Sequence, residues 1–469
     1  MIILGTNSIK DTGYNVDNSL RFNSGSSDYL NRTQSGAGNR KTFTFSVWLK
    51  MALDDVASDI GILSYYSNDN NFGKIGIQGD NNQFVIVNRT SGTFNTNVQI
   101  SAMARDISAW SHLVVAVDTT QSTDSNRIKF YVNGTQQTSF VSSTYPSQNT
   151  DLEFNTTHSN YVSNWNGSSQ HFDGYMTEVV FIDGQQLDAT SFGEFDEDSG
   201  IWKPIDVSGL TFGTNGFYLD FENSGALGAD VSGNTNNFTV NNLTAIDQST
   251  DTCTNNFATL NPLNSSSNDS HTPPTYSEGN LQSASPSSGG GYVGSSTIGV
   301  TNGKWFWEFK KSGGSATNIY NGIGNELGTA EIARQSAVGV YFGNQVFYRP
   351  DGTKQIITNG SNANSSYGAS WTTNDIIGIA LDLDSSTNTV TFYKNGASQG
   401  AINLPVNTDT WFFIVACGTD TVDTWQLNFG SPPYAISSGN TDGNGYGNFE
   451  YAVPSGYYSL NTKNLAEYG

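Results

Sequence analysis

Residues 40 to 50 read RKTFTFSVWLK, in which Phe43, Phe45, Val47 and Leu49 alternate with Thr42, Thr44, Ser46 and Trp48. A period of two predicts a half-buried strand, because successive side chains of an extended chain point to opposite faces. Further apolar runs follow at short spacing: Ser111 to Val117, Arg127 to Val132 and Tyr175 to Ile182. Asn133-Gly134 and Asp183-Gly184 close two of these runs with dipeptides that supply turn conformations. Many short strands punctuated this way predict a sandwich. One more strand is expected at Gly216 to Phe221, within an Asn/Ser/Thr-rich region with few aliphatic residues.

The strand signal resumes at Trp305 to Phe309 and continues through Ala337 to Phe342, Gln345 to Tyr348, Asp375 to Leu383, Thr389 to Tyr393, Trp411 to Ala416 and Trp425 to Phe429. Between the two regions, Asn264 to Glu278 reads as an exposed linker, with the Pro273-Pro274 pair and Gly289 to Gly291 close behind. The expected organisation is an N-terminal segment over 1–14, a sandwich over 15–204, a connecting β region and linker over 205–285, a second sandwich over 286–440, and a polar tail over 441–469. No heptad or other short repeat is present to build a fibrous shaft.

Composition supports the all-β reading. Aromatic residues reach 12% and glycines number 50, whereas charged residues are only 13% of the chain. Aromatic side chains suit pleated surfaces and Gly, Asn, Asp and Ser suit turns. The length of 469 residues predicts two to four domains, each large enough for its own core. A net charge of −22 and scattered basic residues exclude a nucleic-acid partner, since phosphate binding needs clustered Lys and Arg. The opening MIILGTNSIKDTGY reads as neither a signal peptide nor a membrane span, so no membrane insertion is expected. Cys253 and Cys417 are too few for a disulfide framework.

In the first region, W-S-H-L-V-V-A-V-D at Trp110 to Asp118, I-K-F-Y-V-N-G at Ile128 to Gly134 and F-D-G-Y-M-T-E-V-V-F-I-D-G at Phe172 to Gly184 follow one another in order. Together they resemble the laminin-G-like, concanavalin A-like jelly roll. In the second, G-K-W-F-W-E-F at Gly303 to Phe309, N-G-I-G-N at Asn321 to Asn325, V-G-V-Y-F at Val338 to Phe342, D-I-I-G-I-A-L-D-L-D at Asp375 to Asp384, T-F-Y-K-N-G at Thr391 to Gly396 and L-N-F-G at Leu427 to Gly430 resemble a SPRY domain. The pairing, with G-T-N-G-F-Y-L-D-F at Gly213 to Phe221, N-N-F-T-V at Asn236 to Val240 and P-S-G-Y-Y-S-L-N-T-K-N-L at Pro454 to Leu465, is similar to virion structural proteins of tailed phages, marine ones especially. The resemblance implies two jelly-roll sandwiches, a place on the exposed surface of a phage particle, contact with other virion proteins, and a homotrimer.

Candidate chemistry is sparse. Glu194, Asp196, Glu197 and Asp198 partly imitate the alternating acids of jelly-roll glycosidases, which need two placed carboxylates, but the run reads as a solvated loop. The four histidines, His112, His158, His171 and His271, show no zinc-type spacing, and His112 reads as a packing residue at a strand start. No G-x-S-x-G elbow is present. No cofactor is called for. Calcium alone stays open, through the oxygen-rich loops of Asp54, Asp55 and Asp59 or of Asp118 and Asp124, although none has EF-hand spacing.

The positive signal is aromatic. In Ser159 to Gly167, Tyr161 and Trp165 offer ring faces to the C–H faces of a sugar, and Asn164 and Asn166 offer amides to its hydroxyls. The same rings also suit plugging a sandwich rim or an oligomer contact. The function expected is therefore a non-enzymatic tail fibre, spike or receptor-binding adhesin that engages host-surface glycan or protein through rim loops. The alternatives are a structural capsid decoration or head-fibre protein, and a jelly-roll glycosidase.

Overall fold

The computed structural model describes residues 11–52, 58–265, 274–284, 292–314, 319–325, 343–417 and 423–469. It is nearly all β, and the chain divides into two compact units, Thr12–Thr254 and one containing Asn255–Gly469. Among the described residues no helix is long and apolar enough to cross a membrane.

The first unit is a sandwich of two antiparallel sheets. One sheet runs in the order Thr135–Gln136, Ile128–Val132, Ser111–Asp118, Thr42–Met51, Gly174–Asp183, Ser19–Phe22, Gln248–Ser249, and Phe217–Leu219 also pairs with Gly174–Asp183. The other runs Phe140–Thr144, Thr93–Met103, Gln83–Thr90, Asn71–Gln78, Ile60–Asn68, Ser159–Val162, Tyr29–Thr33, Thr239–Asn241. Phe43, Phe45, Val47 and Leu49 point into the core between them, where they meet Ile75, Ile77, Phe84 and Ile86 of the second sheet. The expected Asn133-Gly134 turn is present, with φ of +46° and +77°, a left-handed pair whose twist suits a tight hairpin.

The strand Thr42–Met51 is buried on both faces, not half-buried as its alternation predicts. Trp48 lies on the face away from the core, and residues 187–218 fold over it, bringing Phe192, Trp202, Val207 and Phe212 against Trp48, Val114 and Val180. His112 is stacked between the rings of Trp48 and Trp202, at 4.7 and 6.0 Å. The Trp202 indole N–H, a donor only, reaches His112 Nδ1 at 3.0 Å, so the ring proton sits on Nε2 and is given to Ser46 Oγ at 2.8 Å. Burial pushes the His112 pKa down to about 3, which keeps the ring neutral. This is a packing histidine.

The expected connector over 205–285 does not stand apart. Phe217–Leu219, Thr239–Asn241 and Gln248–Ser249 pair with Gly174–Asp183, Tyr29–Thr33 and Ser19–Phe22 of the first sandwich. Leu260–Ser265, Thr275–Ser277 and Gln282–Ala284 join the sheets of the second. Its polar residues saturate the backbone internally: Asp230 accepts the N–H groups of Tyr218, Ser232 and Asn236, and Asn236 Nδ2 donates to the carbonyls of Thr214 and Gly216. The middle of the expected linker, residues 266–273, lies outside the described residues, as do Gly289 to Gly291 and the expected strand ending at Phe342.

The second unit packs one sheet (Leu260–Ser265, Tyr292–Ser296, Trp411–Cys417, Ile319–Asn325, Gln345–Tyr348, Thr353–Thr358, Ser361–Ser366) on another (Thr275–Ser277, Gln282–Ala284, Thr424–Asn428, Lys304–Gly313, Ile376–Asp382, Thr389–Lys394, Ala397–Asn403). Its core is aromatic, with Trp305, Trp307, Trp411 and Trp425 fully buried. The expected polar tail is part of this unit. Tyr458–Ser459 adds a parallel pairing to Lys304–Gly313, and the helix Thr462–Tyr468, capped by the Asn461 side chain, sends Leu465 into the core. Asp442 secures the return by accepting from the Ser459 N–H, the Ser459 hydroxyl and Asn464 Nδ2.

Candidate functional site

One outer face of the first sandwich is covered by residues 187–218, where Phe195 stays 52% exposed on Trp202; the outer face of the other sheet carries a second aromatic cluster. On Asn71–Gln78 the inward positions are Ile75 and Ile77, which turns Phe72 and Lys74 outward; on Gln83–Thr90 the inward Phe84 and Ile86 likewise turn Val85, Val87 and Arg89 outward. Phe72, Val85 and Val87 form a small apolar cluster there, with Tyr66 and Trp165 packed against it.

Trp165 reaches this face from the loop after Ser159–Val162. Its ring stands edge-on to Tyr66 at 5.5 Å and to Phe72 at 5.4 Å, and the Lys74 ammonium lies 5.8 Å from its centroid. Phe94, 54% exposed, continues the surface beside Phe72 at 6.2 Å, with the Arg89 guanidinium 4.7 Å over its ring. Arg89 is held there by the carbonyls of Asp69 and Gly92, at 2.7 and 3.1 Å. Lys74 is held by Asp59 at 2.8 Å and Gln170 at 3.1 Å. Lys74 and Phe72 are themselves buried, 4% and 6% exposed, under the Trp165 loop, so Phe94 and the half-buried Tyr66, Trp165 and Arg89 are what this cluster presents at the surface.

The loop is built by its asparagines. Asn164 is fully buried; its Oδ1 accepts from the N–H groups of Asn166 and Gly167, and its Nδ2 meets the His171 ring at 2.9 Å. Asn166 Oδ1 accepts from the Ser168 N–H and from the hydroxyls of Ser168 and Ser169, each at 3.0 Å. Gly61 lets the loop lie flat on the sheet, because a Cβ there would stand 2.6 Å from the Asn164 carbonyl. Burial pushes the pKa of His171 down, so its ring favours the neutral form beside Asn164.

Of the four residues expected to contact ligand, Tyr161 and Trp165 are half-buried, with the Trp165 indole nitrogen inside, and Tyr161 leans on Tyr29 at 6.0 Å. Asn164 is not available to a ligand. Asn166 acts chiefly as a loop brace. Tyr66, Phe72, Lys74, Arg89 and Phe94, which complete the patch, were not singled out from sequence; the apolar residues on both faces of Phe84-Val-Ile-Val87 were the available signal.

The other chemistry resolves into structure. Glu194 and Asp196 lie on or beside a two-stranded ribbon, Gly193–Phe195 with Trp202–Pro204, apart from both sheets. Both carboxylates pair with Lys203, at 3.3 and 3.5 Å, and Glu197 and Asp198 are exposed. This is a salt-bridged surface turn and not an alternating catalytic strand. Asp59 is neutralised by Lys74, Gln78 and the Gly79 N–H. Asp118 spends its oxygens on Thr42, Thr120 and Gln121; burial opposes its charge, but these bonds outweigh it and hold the pKa low. Asp54, Asp55 and His271 lie outside the described residues. Among the described residues no group of three or more His, Cys, Asp or Glu is placed to hold a metal ion.

Two β-sandwich units, one with a partly exposed aromatic cluster on its outer face, define a modular binding protein. Residues 24–189 match the family described as the concanavalin A-like lectin/glucanases superfamily, and residues 304–432 match the SPRY domain. The chain therefore contains a laminin-G-type concanavalin A-like domain followed by a SPRY domain. Among solved structures, it is similar to the SPRY domain of human HERC1 (18% identity over 36% of this chain and 96% of that one, TM-score 0.29). It is also similar to domains LG4-5 of the mouse laminin alpha1 chain (11% identity over 86% and 82%, TM-score 0.29). A third is the heptameric SAP-like pentraxin of Limulus polyphemus (11% identity over 37% and 78%, TM-score 0.27). No curated protein matches the chain.

Proposed function

We propose that this chain is a non-enzymatic adhesin on the surface of a tailed phage particle, attaching to host-surface carbohydrate through the outer aromatic face of its first sandwich. The observation that carries the reading is Trp165, set edge-on among Tyr66 and Phe72 with Lys74 above it and Phe94 exposed beside them. Rings of this kind stack on the C–H faces of sugars, and the half-buried Arg89 guanidinium lies beside the exposed Phe94 ring. The phage setting rests on the motif pairing across the two units and the segments around Gly213 to Phe221 and Pro454 to Leu465. Other virion proteins are the partners on that reading, and a homotrimer is its oligomeric form. A shallow face gains durable attachment from several copies on one particle, since the second contact becomes intramolecular.

Beads carrying many copies of the chain are expected to bind host cells saturably, and periodate oxidation of the cell-surface glycans is expected to abolish the binding. Binding that survives periodate would move the ligand to protein. No binding by the multivalent beads would overturn attachment and leave the structural decoration role.

A further inference from the structure

We propose a second binding site in the first unit, a polar cleft at the end of the sandwich that holds a neutral sugar ring by two adjacent hydroxyls. The proposal rests on the carbohydrate reading above for its ligand class, but not on the outer aromatic face for its residues. The cleft measures about 330 Å³ and is lined by Arg40, Glu153 and His158, with Ser67, Asn71 and Thr157 among its other walls. That volume falls at the lower end of the roughly 300–1,000 Å³ of small-ligand sites.

Glu153, only 5% exposed, is the fixed point. One oxygen accepts from the Thr90 hydroxyl at 3.1 Å and lies 3.5 Å from Arg40; the other meets His158 Nε2 at 3.0 Å. Its backbone N–H is bound to Asn88 Oδ1 at 2.6 Å, so Gln83–Thr90 braces the residue through both Asn88 and Thr90. Arg40 is anchored in turn by its Nε, which donates to the Leu152 carbonyl at 2.7 Å, and its side chain as a whole is 30% exposed. The charged group and its partners are thus set before any ligand arrives, which lowers the ordering cost of binding.

The donor set selects among ligand classes. A metal cation would have to displace Arg40 from the carboxylate, and an anion would meet the Glu153 oxygens beside the guanidinium. A neutral vicinal diol meets both needs: one hydroxyl donates to Glu153 and its neighbour accepts from Arg40. The hydroxyl of the exposed Thr157 faces the rest of the ring, while Ser67 and Asn71, bonded to Asn68 and Ser91, form a fixed wall.

The test is calorimetric titration of the full chain with the methyl glycosides of glucose, galactose, mannose and N-acetylglucosamine. At least one is expected to bind, and Thr157→Trp, which fills the cleft from an exposed position, is expected to weaken it at least tenfold without lowering the thermal midpoint. Arg40→Met is expected to do the same to binding. Failure of all four glycosides to bind, or equal binding by wild type and Thr157→Trp, overturns the cleft. Either result alongside periodate-sensitive attachment to cells removes the cleft alone; a chain that binds neither cells nor free sugar removes both readings.

Discussion

Asp251→Ala is expected to destabilise the first unit by about 3–5 kcal/mol, the usual cost of leaving one member of a buried ion pair uncompensated. Lys50 Nζ and Asp251 Oδ2 are 2.8 Å apart, with both side chains 1% exposed. The second Asp251 oxygen accepts from the Trp110 indole at 3.0 Å, and its backbone carbonyl accepts from Ser19. Removing the carboxylate takes the ion-pair partner from an ammonium buried on the outer face of that sheet, 5.6 Å from the Tyr175 ring. The same bonds make residues 205–254 part of the domain. A fragment ending at Pro204 lacks Asp251, the strand Phe217–Leu219 and core residues Leu227, Phe238 and Leu243, and is expected not to fold; a fragment of residues 12–254 is expected to fold. Urea unfolding followed by tryptophan fluorescence checks both. An unchanged midpoint for Asp251→Ala, or cooperative unfolding of the short fragment, would contradict the division.

The first unit is also expected to lose stability as pH rises above neutrality, by about 2 kcal/mol between pH 6.5 and 8.5, at 1.36 kcal/mol per unit over the part of that range Glu178 buffers. Glu178 sits at a bulge in Gly174–Asp183, with φ of +51°, and faces the Tyr218 hydroxyl at 2.9 Å and the Tyr14 hydroxyl at 3.4 Å. Burial raises its pKa from 4.5 to about 8. Between those values the folded chain keeps a proton that the unfolded chain has released, so the stabilisation is complete below pH 4.5 and is lost as pH rises through about 8. Asp220 and Glu222, raised first by burial, act in the same direction. His112, with its pKa lowered to about 3, acts oppositely and only below pH 6.5, where the unfolded chain takes up the proton. Glu178→Gln, which keeps an acceptor for Tyr218, is expected to flatten the decline between pH 6.5 and 8.5. A wild-type urea midpoint that holds steady across that range would contradict the assignment.

Much of the fold was legible. The alternation at Phe43 to Leu49, the Asn133-Gly134 turn and its counterpart at Asn395-Gly396, also left-handed at both residues, are local signals that local physics decides. The strands from Ile60 to Met103 were harder to read. Register shifts at Gly61/Leu63, Tyr66/Asn68 and Gln83/Val85 break their period, and outward apolar residues mask which face is the core. The connector and tail misled for a different reason. Composition cannot distinguish an asparagine dissolved in water from one, such as Asn236 on Gly216 or Asn464 on Ser459, that saturates a carbonyl of a buried residue. In the candidate site, Trp165 was visible as an aromatic in a polar loop, but its neighbours Tyr66, Phe72 and Phe94 are brought to it only by sheet pairing.

Trp165 and the exposed Phe94 mark the proposed attachment surface. The direct measurement compares wild type and Trp165→Ala, each displayed on beads, for binding to an array of bacterial surface glycans, with thermal unfolding as the control for folding. Loss of the Trp165 ring is expected to weaken each single contact about tenfold, the equivalent of 1.4 kcal/mol, and to weaken the multivalent signal further. Equal binding of the two proteins to the same glycans, with both folded, would rule out the Trp165 face as the attachment surface.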